Sequence, residues 1–147
     1  METKGITIAI DFDGTCVTHE FPNIGKEIGA VSVLKKLIQA KHQLILFTMR
    51  SNHGNLPLFT PTGIESTSGD FLDDAVNWFK NNNIPLYGIN ENPTQKSWTK
   101  SPKAYAELYL DDAALGIPLK YDVILSTRPF VDWDSVEELL IKRGILN

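Results

Sequence analysis

The chain has 147 residues, 42% of them hydrophobic and 22% charged, with a formal net charge of −4 and a single cysteine, Cys16. That length and composition suit one globular domain, 1–147, which buries roughly 70% of the surface its unfolded chain exposes and needs no covalent staple. An intrachain disulfide is excluded, the acidic balance argues against a protein that grips nucleic acid through its phosphates, and the start Met1-Glu2-Thr3-Lys4-Gly5 lacks the basic and apolar regions of a leader. No apolar run has the length to cross a bilayer, so the expectation is a cytoplasmic protein with no membrane partner.

The β-branched run Ile6-Thr7-Ile8-Ala9-Ile10 predicts a buried strand that stops at Asp11. Ala30, Val31, Val33, Leu34, Leu37 and Ile38 then recur at helical spacing and predict an amphipathic helix over about residues 29–41. Leu44-Ile45-Leu46-Phe47 is a second strand, stopping at Thr48. From 51 to 69 the chain reads as a polar, turn-rich loop, with Asn52-His53-Gly54-Asn55, Pro57, Pro61 and Gly63, overhanging the Thr48 edge as a substrate-facing lid or an oligomer contact. Asp70, with Asp73 three residues on, opens a helix whose stripe is Phe71, Leu72, Ala75, Val76 and Phe79 and which Asn81-Asn82-Asn83 ends.

Ile84 to Ile89 reads as a third strand and Ala106 to Leu110 as a fourth, which stops at Asp111-Asp112. Asp134 with Glu137 as a capping box, and Gly144 beyond, bracket a last helix. Strands alternating with helices predict an α/β fold: a three-layer, Rossmann-like parallel sheet with helices on both faces and its ligand site at the carboxyl ends of the strands. Asp11 and Asp13, Thr48, and Asp111 and Asp112 all follow predicted strands, so they converge on one pocket. Carboxylates gathered in this way repel one another, and a hard divalent cation with oxygen ligands relieves the repulsion; Mg²⁺, sharing its shell with a substrate phosphate, fits the pattern.

Asp11-Phe12-Asp13-Gly14-Thr15 resembles motif I of the haloacid dehalogenase superfamily in its phosphatase form. Leu46-Phe47-Thr48 resembles motif II, Lys103 the motif III lysine, and Leu108-Tyr109-Leu110-Asp111-Asp112 the acidic motif IV, in family order over about residues 5–116. The resemblance implies a Mg²⁺-dependent phosphatase that works through an aspartyl phosphate. Asp11 is then the nucleophile, and Asp13 the acid that protonates the leaving oxygen and the base that activates water. Asp11, the main-chain carbonyl of Asp13, and motif IV hold the metal, with Asp112 as the direct ligand and Asp111 on a metal water or Lys103. Thr48 and Lys103 bind the phosphoryl oxygens. Arg50, just past Thr48, is a substrate-binding candidate because its planar fork matches a phosphate or carboxylate.

In this family cap insertions set substrate choice, and here 14–28, 51–69 and 90–102 are too short for a cap domain. The expectation is a capless enzyme acting on a small phosphorylated metabolite, a sugar phosphate or nucleotide, with a second copy of the chain as a candidate cover for the open site. The alternatives are a nucleic-acid-end or phosphoprotein phosphatase, or a phosphate-binding regulatory module without turnover. Cys16 lacks the arginine a cysteine phosphatase needs, since Pro22 stands there, and Gly25-Lys26 lacks the glycine and hydroxyl of a phosphate-binding loop. Asp73-Asp74 reads as a helix N-terminus and His19, His42 and His53 as surface or packing residues; Lys96, Lys100 and Lys103 could form one exposed basic loop around Trp98, but the spacing of Lys103 ahead of Asp111 favours its motif III role.

Overall fold

Four consecutive buried residues, Thr7–Ile10, form strand β1 at the centre of a parallel sheet. The structure, a computed structural model, describes residues 5–60 and 63–147, with the backbone alone for 54–60 and 63–68. After β1 come α1 (Ala30–Gln39), β2 (Gln43–Leu46), β3 (Gly54–Thr60), β4 (Gly63–Gly69) and α2 (Phe71–Asn81). The chain continues through β5 (Gly88–Ile89), β6 (Leu108–Leu110), β7 (Leu119–Lys120), β8 (Phe130–Val131) and α3 (Trp133–Lys142).

The main sheet has the order β5-β2-β1-β6, and every neighbouring pair in it is parallel. Ile8 lies beside Leu44 and Leu108, and Ile10 beside Leu46 and Leu110, so the alternating side chains share one face. That face packs against Val33, Leu34 and Leu37 of α1, Ala75 and Phe79 of α2, and Trp133, Val136 and Leu140 of α3 in one apolar core. The chain steps from β1 to β2 to β5 in one direction across the sheet, and right-handed crossovers in one direction put α1 and α2 on the same side.

To reach β6 the chain must return across the opposite face, and between 90 and 107 it does so with a single 3-10 turn, Gln95–Ser97. Buried Gln95 organises this crossover: its amide donates to the carbonyls of Ser101 at 3.1 Å and Lys103 at 2.8 Å, and accepts the Tyr105 N–H at 2.7 Å. Tyr109 joins sheet to crossover by donating its hydroxyl to the Ala104 carbonyl. The α/β parallel sheet is therefore as expected, but among the described residues the α-helices gather on one face instead of both.

Local differences have local causes. Helix α3 is capped by Asp132, which accepts from the N–H of Ser135 at 3.4 Å and its hydroxyl at 2.9 Å; the Asp134 cap gives way to it because Trp133 is already helical. Asp70 precedes α2, yet its carboxylate takes the His53 N–H at 3.0 Å and makes no cap bond. Residues 54–60 and 63–69, expected as loop, pair as an antiparallel hairpin from Gly54 opposite Gly69 to Thr60 opposite Gly63; Pro61 lies outside the described residues. Strands β7 and β8 pair Leu119 with Val131 and were not expected, because two-residue strands carry no readable periodicity. Among the described residues, no helix is long and apolar enough to cross a membrane.

Candidate functional site

Strands β1 and β6 run side by side and end together, with the Asp11 N–H donating to the Leu110 carbonyl at 2.9 Å. Asp11 and Asp111-Asp112 therefore leave the sheet at one edge, and their carboxylate oxygens lie within 4.8 Å of one another. Burial, the hydrogen bond with Asp112 and the charges of Asp111 and Asp112 together push Asp11 up to about 8. Burial also opposes ionisation of Asp112, but its hydrogen bonds with Asp11 and His19 outweigh that and hold it below the usual carboxylate value. Asp11, Asp111 and Asp112 thus offer an all-oxygen set of the kind that fits a hard divalent ion.

The turn after β1 is built around these carboxylates. Thr15, fully buried, has its hydroxyl 2.9 Å from Asp11 Oδ2 and 3.3 Å from Asp112 Oδ1, and the same oxygen accepts the Asp112 N–H at 3.0 Å. His19 Nε2 lies 2.7 Å from Asp112 Oδ2. Gly14 has φ +83°, and a β-carbon there would stand 2.0 Å from His19 Nε2, so both the turn and the imidazole require glycine. Trp133 Nε1 donates to the Thr15 carbonyl at 2.7 Å and ties this turn to the start of α3. Cys16 is buried with its thiol on the Asp11 carbonyl, and burial pushes it well above the ordinary thiol range, away from nucleophilic use.

Asp13 faces a different partner. Arg50 Nε donates to Asp13 Oδ2 at 2.8 Å and Arg50 Nη2 to Oδ1 at 2.7 Å. Arg50 is 3% exposed. Its expected role as a substrate clamp is corrected here, because burial and a full set of internal partners leave the guanidinium no donor to offer an incoming anion.

Thr48 follows β2 by two residues and is half-buried; its N–H donates to Asn90 Oδ1 at 2.8 Å and its hydroxyl accepts the Arg50 N–H at 3.2 Å. Asn90, just past β5, holds φ +54°, a conformation asparagine tolerates, and so caps the end of the neighbouring strand. Lys103 is exposed, with Nζ 5.7 Å from the centroid of the Tyr109 ring. Among the described residues it makes no ion pair with Asp11, Asp13, Asp111 or Asp112.

His19, Thr15, Asn90 and Trp133 are site residues that sequence reasoning missed as such. Thr15 lay within the quoted motif and could have been read from it, whereas His19 and Trp133 reach the site over separations of 93 and 118 residues. His42, expected to be structural, accepts the Ile6 N–H at Nδ1 and therefore donates from Nε2 to the Ile145 carbonyl, closing the sheet against the C-terminus.

No protein-family model matches the chain, and no curated protein matches it significantly. A solved structure of a conserved protein from Bacteroides thetaiotaomicron is 32% identical, with a TM-score of 0.67 over 96% of this chain and 93% of that one.

Proposed function

The chain belongs to the family of the conserved Bacteroides thetaiotaomicron protein, and we propose that it is a Mg²⁺-dependent phosphomonoester hydrolase of the haloacid dehalogenase type. The observation that carries this reading is the Asp11, Asp111 and Asp112 cluster at the carboxyl end of a parallel sheet, with Asp13 two residues beyond Asp11. Asp11, Asp111, Asp112 and the main-chain carbonyl of Asp13 would hold the metal. When bound, Mg²⁺ offsets the repulsion between the carboxylates and a phosphoryl anion.

The steps are carried by the chain. An Asp11 oxygen attacks phosphorus, the ester P–O bond breaks, and Asp13 gives its proton to the departing oxygen. Asp13 then takes a proton from water as that water attacks the phosphorus of the aspartyl phosphate, which releases phosphate and restores Asp11. Thr48, two residues beyond β2, would donate its hydroxyl to a phosphoryl oxygen, where charge accumulates. A role for Lys103 on the same oxygens requires its Nζ to swing away from the Tyr109 ring.

The reading includes a capless core, in which the β3–β4 hairpin is a short cover rather than a cap domain, and a small phosphorylated metabolite as substrate. The buried free thiol of Cys16 supports a reducing, cytoplasmic setting. The test is phosphate release from aryl phosphate, sugar phosphates, nucleotides and phosphorylated oligonucleotides, with Mg²⁺ and with chelator, in wild type and Asp11→Asn. Magnesium-dependent turnover lost in the variant is expected; chelator-insensitive turnover, or full activity in Asp11→Asn, would overturn the mechanism.

A further inference from the structure

A guanidinium has five N–H donors, and every one of Arg50's is committed inside the protein. Two go to the two oxygens of Asp13, at 2.8 and 2.7 Å. The other three go to carbonyls of Pro22 at 3.2 Å, Phe71 at 3.2 Å and Asn23 at 2.9 Å. The guanidinium carbon also lies 5.1 Å from the ring centroid of Phe12 and 5.0 Å from that of Phe21, so aromatic faces hold it as well. Arg50 is thus anchored by the turn after β1, the 20–23 segment and the start of α2, and it presents a planar fork to a single carboxylate.

We infer that Arg50 is a positioning residue that holds Asp13 at the angle and distance its proton transfer needs. The inference rests on the phosphatase reading and adds a division of labour to it. A carboxylate on one rotatable bond has many orientations, and a general acid contributes only when aimed at the leaving oxygen. The fork fixes both carboxylate oxygens at once, which an ammonium cannot do. It leaves each oxygen a further lone-pair direction, and the half-buried Asp13 side chain keeps 17% of its surface open toward solvent. The fork favours Asp13 as the carboxylate, so the proton it delivers must first be taken up on a lone pair that the fork leaves free; it then passes to the leaving oxygen as the ester P–O bond breaks, and Arg50 itself exchanges no proton.

This role has a signature that a merely structural arginine lacks. Loss of aim at Asp13 penalises poor leaving groups, which need the proton, far more than nitrophenolate, which departs without one. The experiment compares kcat/KM for p-nitrophenyl phosphate and an alkyl phosphate with Mg²⁺ in wild type, Arg50→Lys, Asp13→Asn, the double variant, and Phe21→Ala. Circular dichroism checks the fold of each variant. Arg50→Lys and Asp13→Asn are both expected to lose on the order of 100-fold on the alkyl ester and under about 10-fold on the aryl ester, with no further loss in the double variant.

Phe21 is 44% exposed, so its truncation leaves the core intact while removing one wall of the guanidinium site; the aryl-to-alkyl ratio is expected to rise about threefold or more. This variant keeps the test open if Arg50→Lys fails to fold. Equal losses on both esters, an unmoved ratio in Phe21→Ala, or losses that multiply in the double variant would overturn the positioning role while wild-type turnover left the phosphatase reading standing. No wild-type turnover of either ester would overturn both.

Discussion

His19 Nε2 lies 2.7 Å from Asp112 Oδ2, and the same imidazole covers the α-carbon of Gly14 so closely that a β-carbon there would stand 2.0 Å from it. A histidine that the sequence offers no reason to choose thereby orients a candidate metal ligand, and a glycine inside the motif makes room for it. Partners that orient ligands are typically worth about 10- to 100-fold in metal affinity. His19→Ala is expected to weaken Mg²⁺ binding by about that factor, measured by calorimetric titration, with secondary structure unchanged. Unaltered affinity would remove His19 from the site.

Gly14→Ala tests the same contact from below. The new methyl group must push His19 off Asp112, and the positive φ adds backbone strain of about 1–3 kcal/mol. Both a lower urea midpoint and weaker Mg²⁺ binding are expected. In a His19→Ala background the three atoms nearest that methyl are gone, so Gly14→Ala should leave metal affinity where His19→Ala put it. Additive losses of affinity would mean that Gly14 acts by another route.

Asp11 predicts a pH dependence of stability in the metal-free protein. Its value of about 8 in the fold, against 3.8 ordinarily, means that the folded state keeps a proton the unfolded chain has released. The stability that Asp11 contributes is then fully present below the ordinary carboxylate value, falls as pH rises through the interval from about 4 to about 8, and is lost above it. Asp11→Asn should flatten this fall, and Mg²⁺ should oppose it, because the cation stabilises the ionised form. Thermal unfolding in chelator from pH 5 to pH 9 is the measurement, and a wild-type melting temperature that rises over this interval would contradict the assignment.

Trp133→Phe keeps an aromatic ring in the core but deletes the N–H that the Thr15 carbonyl accepts at 2.7 Å. A buried carbonyl left without its partner costs about 1–3 kcal/mol. Chemical denaturation should show a loss of that size, and turnover should fall too, since Thr15 holds both Asp11 and Asp112. A stability loss with activity fully retained would make the indole a packing residue only.

Features that depend on neighbours along the chain are legible in the residues themselves. The β-branched run before Asp11 makes a buried strand, the 3.6-residue spacing of Ala30, Val33, Leu34 and Leu37 makes α1, and strands β1 and β6, running parallel, bring Asp11 and Asp111-Asp112 to one edge. The long-range contacts depend on how the chain closes on itself. Arg50 meets Asp13 across 37 positions and His19 meets Asp112 across 93, through turns whose path no periodicity describes. The same holds for the helices. Their hydrophobic stripes require burial, but only the strand order, with β1, β2 and β5 taken in one direction, placed α1 and α2 on one face and left a single 3-10 turn for the return across the other. Local sequence sets which side chains seek burial or a partner, whereas the partner each one finds is a property of the closed fold.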